Sequence, residues 1–291
     1  MSGQSVVLPI NSVDYSGVGL GLRSTHIEQI IQQQPEIPWF EILLDNHTAQ
    51  GGLIPQQLAA VRQYYPLSFH CVGMSLGGVD TLDKNYLSTI KRMTLEYEPA
   101  QISDHLCFTQ HGGHHFNDLL PIPYTDESLN HVSDRIAEVQ NYLGRRILVE
   151  NISTYLQFES SEMNEAEFLS ELVRQTGCGI LLDINNAYVN EFNHGYAAKE
   201  FIDSIPMEHV GEIHLAGFED KTEYLIDAHN NRVSEPVWDL FEYYLQKNNS
   251  SPVLIEWDND IPALDVLLDE KVRAEEHIRS NTKNTDEQVS C

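Results

Sequence analysis

Gly179-Ile180-Leu181-Leu182-Asp183 is a short apolar run that ends on a carboxylate. The same form recurs along the chain: Ser68-Phe69 into His70, Ile102-Ser103-Asp104 into His105, Ile147-Leu148-Val149 into Glu150, Glu212-Ile213 into His214, and Val253-Leu254-Ile255 into Glu256. Short apolar runs of this kind suit buried parallel strands. Each ends on a residue able to bind a metal ion. In an eight-stranded βα barrel the site is built at the C-terminal ends of the strands, so ligands far apart in sequence converge on one cup.

Outward from these runs, strand-like and helix-like segments alternate. Strands are expected near Gly17–Arg23, Trp39–Asn46, Leu67–Val72, Gln101–Thr109, Arg146–Ile152, Gly179–Asn186, Val210–Gly217 and Pro252–Asp258. Helical patterns are expected over Ser24–Gln34, Pro55–Tyr64, Asp83–Tyr97, Asp126–Leu143, Asn164–Gln175, Ala197–Asp203, Glu235–Gln246 and Ile261–His277. Thr125 precedes one helix as a cap would, and Gly144 and Gly177 end two others. This alternation means βαβ units and parallel pairing. The expectation is α/β: a single (β/α)8 TIM barrel over residues 16–279, between a mobile N-terminal segment, 1–15, and a mobile C-terminal tail, 280–291. An open doubly wound sheet competes, but it gathers ligands at one switch point rather than on six strand ends.

The chain has 291 residues, with Lys plus Arg 17 against Asp plus Glu 44, a net charge of -27. No basic stripe offsets that charge, so no nucleic acid partner is expected. Met1 to Ile10 has no basic n-region or long apolar stretch, and nowhere do eighteen apolar residues run together, so no membrane association and a cytoplasmic location are expected. The four cysteines, Cys71, Cys107, Cys178 and Cys291, lack CxxC spacing and read as buried small hydrophobes rather than disulfides or zinc ligands.

Imidazole and carboxylate without thiolate suit iron, manganese or zinc, and carboxylates can bridge two ions. The strand ends supply His70, His105, Glu150, Asp183, His214 and Glu256. Asp227-Ala228-His229 adds a D-x-H pair, and Asn186, three residues after Asp183, brings an amide oxygen near the same ion. These donors exceed the needs of one metal, so two or three ions are expected. A lone histidine ending a strand is commonly a satisfied core residue; together the carboxylates would be costly to bury without a compensating charge. Asp104, Asn151 and His194 are the candidates to act beside the metals. His111, His114 and His115 read as a solvated hairpin tip.

Several blocks resemble those of a known family along nearly the whole chain: Gly17-Val18-Gly19-Leu20-Gly21-Leu22-Arg23, Ser103-Asp104-His105-Leu106, Glu150-Asn151-Ile152-Ser153, Leu181-Leu182-Asp183-Ile184-Asn185-Asn186, Glu212-Ile213-His214-Leu215-Ala216-Gly217, Asp227-Ala228-His229 and Ile255-Glu256-Trp257-Asp258. They resemble the multinuclear non-haem iron-dependent oxidative enzymes, long a domain of unknown function, which include the iron oxygenase of methanobactin biosynthesis. The wider resemblance is to the xylose isomerase and apurinic endonuclease barrel superfamily. The resemblance implies two or three irons, mixed Fe(II) and Fe(III), with dioxygen as co-substrate. It implies His70, His105 and Glu150 at one iron, Glu150, Asp183, His214 and Glu256 at a second, and Asp183, Asn186, Asp227 and His229 at a third, bridged by Glu150 and Asp183. Where this chain has Asn186 the endonuclease relatives have histidine, which fits the oxidative branch. Phe218 and Asn230 depart from the family pattern at positions that hold no metal and bear on substrate contacts.

The resemblance further implies oxidative modification of cysteine in a ribosomally synthesised precursor peptide, with a leader-binding partner protein. The competing function is a metal-dependent hydrolase or isomerase acting on sugar or abasic nucleic acid. A non-enzymatic reading, metal storage or peptide binding, fits less well, because structural metal sites are closed and strand-end sites are open.

Overall fold

The computed structural model describes residues 15–289, with only the backbone from 283 onward. Met1–Asp14 of the expected mobile segment, and Cys291, lie outside the described residues. Eight parallel strands close in the order β1-β12-β9-β8-β7-β4-β3-β2. They are β1 (Val18–Gly21), β2 (Phe40–Leu43), β3 (Leu67–His70), β4 (Ile102–His105), β7 (Leu148–Glu150), β8 (Gly179–Asp183), β9 (Val210–Leu215) and β12 (Val253–Ile255). Two antiparallel hairpins interrupt the loops that follow β4 and β9: β5 (Phe108–His111) with β6 (His114–Leu120), and β10 (Glu219–Asp220) with β11 (Leu225–Ile226). The expected strand Gln101–Thr109 is therefore two strands, because the chain leaves the barrel after His105.

The helices are α1 (Ile27–Gln33), α2 (Leu53–Arg62), α3 (Lys84–Tyr97), α4 (Asp126–Leu143), α5 (Glu165–Thr176), α6 (Ile184–His194), α7 (Ala198–Ser204), α8 (Glu235–Leu245) and α9 (Leu264–Val289). Thr125 caps α4 by accepting from the Ser128 amide, and Asn164 with Glu167 forms a reciprocal capping box on α5. Three expectations are corrected. The segment expected as strand to Asn186 turns helical at Ile184, because Asp183 ends β8 and caps α6 with no loop between. Tyr15, expected in the mobile segment, packs against Trp39 with ring centroids 4.7 Å apart. The last helix continues to Val289, past the expected end at His277 and into the stretch expected as a tail, since that polar stretch contains no glycine or proline to stop it.

Strand alternation divides each strand between two environments. Ile180, Leu182, Phe69, Ile213 and Ile255 face outward into the layer packed against the helices, whereas Ser68, Glu212 and Asp183 share the interior with the strand-end donors. Glycine at position 19 leaves room for the fully buried indole of Trp39: a Cβ there would come within 2.4 Å of the ring. Gly19→Ala should accordingly destabilise the fold by about 1–3 kcal/mol through overpacking. A urea unfolding midpoint lowered with unchanged slope is the expected result, and an unchanged midpoint would contradict the packing argument.

Candidate metal centre

Parallel register sets the donors side by side. His105 pairs with Glu150, and Asp183 pairs with His214. Four groups of donors follow, buried except for the half-buried His229, each with ligand atoms within 4.8 Å of one another: His70, His105 and Glu150; Glu150, Asp183 and His214; Asp183, His229 and Glu256; and Glu41, Glu212 and His214. Glu150 and Asp183 each belong to two of them, which is the sharing that bridging carboxylates require.

The orientation of individual atoms fits metal ions. The Nε2 atoms of His70 and His105 face each other at 3.1 Å, about the separation of two ligands on one ion at roughly 2.1 Å each. Glu150 turns Oε2 toward both, at 3.3 and 3.4 Å, and Oε1 toward His214 Nδ1 at 3.8 Å. Glu150 Oε2, Asp183 Oδ2 and Asn186 Oδ1 are among the buried atoms that have no hydrogen-bond partner. Unpaired buried polar atoms are expensive, and a cation among them would remove that cost.

Neighbouring groups fix these orientations. Ser103 Oγ lies 2.8 Å from His70 Nδ1, leaving Nε2 to face His105. Asn186 donates its side-chain amide to the Asn151 carbonyl, and Asp183 Oδ1 accepts the Asn186 backbone amide. Asn151 in turn clamps Asp183, donating to its carbonyl and accepting its amide, both at 2.9 Å. Asp258 Oδ2 lies 3.0 Å from His229 Nδ1, and Arg23 pairs with the other oxygen of Asp258. Gly21 makes room for that arginine, since a Cβ there would lie 2.7 Å from its guanidinium. This positioning of histidines through their second nitrogen is typical of metal sites.

Not every predicted residue falls in the centre. Asp227 lies 2.5 Å from His229 Nε2 and accepts from Asn185 and Ser153, but it enters none of the groups of three donors. Asp104 holds the amides of Met74 and His105 rather than an imidazole, its carboxylate standing 3.6 Å from His105 Nδ1. His194 is held by Thr154 through Nε2 and joins no group of donors. Cys71, Cys107 and Cys178 are buried free thiols. Sequence reading missed Glu41, Glu212, Tyr15, Ser103 and the Arg23–Asp258 pair. Glu212 carried a signal, because a residue two before His214 on a strand shares its face; Glu41, inside an apolar run, carried a weaker one.

Beside the centre, across Thr154, lies a groove of ≈ 600 Å³ lined partly by Tyr124, Leu156, Phe158, Met163, Tyr196 and Phe201. The loop after β7 joins it to the donors, and Tyr155 in that loop accepts the Asp227 amide at its hydroxyl.

This constellation is matched by sequence. Residues 17–279 match the family described as RiPP precursor modification enzyme MbnB/TglH/ChrH. The chain belongs to that family. A UPF0276 protein of Acaryochloris marina is 45% identical over 262 residues, covering 90% of this chain and 95% of that protein. A UPF0276 protein of an Anaeromyxobacter species is 43% identical over 260 residues, covering 89% and 92%. Among solved structures, a D-tagatose 3-epimerase-like protein superposes with TM-score 0.60 at 15% identity, covering 94% of this chain and 99% of that one. Endonuclease IV from Thermus thermophilus gives 0.58 at 14%, covering 92% and 99%. These likenesses show the barrel fold alone. Membership of the MbnB/TglH/ChrH family makes the chain an enzyme that modifies peptides, and no helix among the described residues is long and apolar enough to cross a membrane.

Protonation gives the centre a pH signature. Burial, then Asp227, push Asp183 up to about 7. Burial would lower His105, but Glu150 and Asp104 outweigh it and raise it to about 9. An unfolded aspartate releases its proton near about 4, so between there and about 7 rising pH favours the unfolded chain. The contribution of His105 is complete below the unfolded value of about 6.5 and lost as pH rises through the folded one. Both effects weaken the metal-free fold as pH rises, and a bound metal displaces the same protons. The melting temperature of metal-free protein should fall from about pH 6 to about pH 9, and the gain on adding metal should grow over that range. A gain independent of pH, measured by thermal scanning, would exclude these donors.

Proposed function

We propose that the chain is a multinuclear iron enzyme that uses dioxygen to oxidise cysteine residues of a precursor peptide, aided by a partner protein that binds the leader. The observation that carries this reading is the row of shared, unpaired donors: Glu150 and Asp183 each lie within reach of two groups, so the centre suits ions held side by side. Nitrogen and carboxylate donors suit two or three iron ions of mixed valence. Iron, when bound, would supply thiolate binding and one-electron chemistry with dioxygen.

The remaining roles belong to the protein. His70 is held neutral, burial and the neighbouring His105 and His214 keeping it well below the usual histidine range, which leaves its nitrogen available as a ligand. None of the candidate groups contains cysteine, so a thiolate from a peptide would meet no resident thiolate in competition. Exposed Tyr155, Leu156 and Phe158 in the loop after β7 offer apolar surface for a peptide. Asp227, Asn186 and His229 would hold the outermost ion, Asn151 would keep Asp183 in place, and Asp104 and His194 would act on the surrounding loops. The acidic surface suits a basic peptide or partner and disfavours an abasic duplex, and a cytoplasmic setting accords with the free thiols. The peptide-modifying family weighs against the sugar or nucleic acid alternative.

Protein purified without air should carry more than one iron per chain. Glu150→Ala or Asp183→Ala should lower occupancy at two positions together, and loss of a single equivalent by elemental analysis would refute the sharing. Co-expression with cysteine-containing peptides and partner candidates encoded nearby should change the peptide mass in air. An unchanged mass, with iron-loaded enzyme and every neighbouring partner present, would overturn the oxidative reading.

A further inference from the structure

One layer deeper in the barrel than the donor ring lie Glu41 of β2, Glu212 of β9 and Ser68 of β3, reached from the opposite end by Tyr15. Both carboxylates are 0% exposed. Glu212 Oε2 accepts from the Tyr15 hydroxyl at 2.6 Å and from Ser68 Oγ at 3.0 Å. Glu41 Oε2 lies 3.2 Å and Glu212 Oε1 3.6 Å from His214 Nε2. The other face of the same ring points the opposite way, with Nδ1 2.9 Å from Glu256 Oε2 and 3.8 Å from Glu150 Oε1. Other strands fill this depth with Leu148, Leu181 and Leu254, so two carboxylates here are a costly choice.

A neutral imidazole has one protonated nitrogen and one bare one. For Nδ1 to face a metal, the proton must sit on Nε2, and Glu41 is the nearest acceptor to it. We propose that Glu41 is a positioning residue: it accepts the Nε2 proton of His214 and thereby sets the tautomer and ring angle that turn Nδ1 toward a metal among Glu150, Asp183 and Glu256. Glu212, anchored by Tyr15 and Ser68, forms the second wall of the socket. The proposal rests on the metal-dependent reading of the site, though not on the metal being iron. His229 and His70 are anchored in the same sense, one by Asp258 with its Arg23 counterion, the other by the neutral Ser103 hydroxyl. His214 differs in facing a carboxylate with no arginine or lysine beside it among its hydrogen-bond and ion-pair partners. The alternative is that Glu41, Glu212 and His214 hold a cation themselves, which would require a bare Nε2.

The test uses the full-length protein with Glu41→Gln and Glu41→Leu. Glutamine keeps an oxygen acceptor for the Nε2 proton; leucine keeps the bulk and removes the acceptor. Metal-free protein titrated with Fe(II) alone under nitrogen should bind the His214 site about 10- to 100-fold more weakly in Glu41→Leu, with substantial recovery in Glu41→Gln. In Zn(II)-loaded, 15N-histidine-labelled protein, a protonated Nε2 signal present in wild type should persist in Glu41→Gln and, its acceptor gone, shift upfield and exchange faster with solvent in Glu41→Leu. Taking the buried partner from His214 should lower the melting temperature of metal-free Glu41→Leu, so Fe(II) binding retained at the His70, His105 and Glu150 group is the control that separates weakened binding at His214 from misfolding. Equal Fe(II) affinity in all three proteins, or a bare Nε2 in the wild-type zinc form, would overturn the proposal. Wild type that rejects iron but takes zinc would defeat the iron reading, and the Nε2 signal would still decide this one.

Discussion

Carboxylates and imidazoles converging inside a closed barrel impose the constraint on which the rest of the structure depends. Glu41, Glu150, Asp183, Glu212 and Glu256 are all buried within the ring of strands, together with His70, His105 and His214. Charged groups removed from water are tolerated only where opposite charge or hydrogen bonds replace hydration. The protein replaces it in part through the Arg23–Asp258 pair, the Asn151 clamp and the hydroxyls of Ser68, Ser103 and Tyr15. The unpaired oxygens of Glu150, Asp183 and Asn186 are the part it leaves for a cation.

The same constraint explains local features of the chain. Asp183 ends a strand, caps a helix with one oxygen and keeps the other free, so the helix start and the donor geometry are set together. Gly21 is small because Arg23 must fold back over it to reach Asp258 and the Trp257 carbonyl. The hairpins after β4 and β9 interrupt the connecting loops, and the second leads directly into the Asp227–His229 segment beside the centre. A barrel with these insertions can share its fold with sugar epimerases and endonuclease IV and still serve a peptide-modifying family, because the chemistry lies in the strand ends and loops.

The sequence by itself determined the barrel, its strand order of appearance and most of the residues that come together at the strand ends, for a simple reason: apolar runs ending on His, Glu or Asp can be seen without knowing which strands are neighbours. It did not determine the direct passage from β8 into α6, because a strand ending on its own helix cap leaves no turn residues to read. The packed place of Tyr15 and the continuation of α9 were also hidden, since neither carries an apolar period. What only the tertiary structure decided is pairing across the barrel. Register brought Glu150 beside His105, barrel closure brought Glu41 of one strand under His214 of another far along the chain, and the fold of a loop laid Asp258 against His229. Those contacts depend on distances between segments remote in sequence, which side-chain alternation within any one strand does not encode.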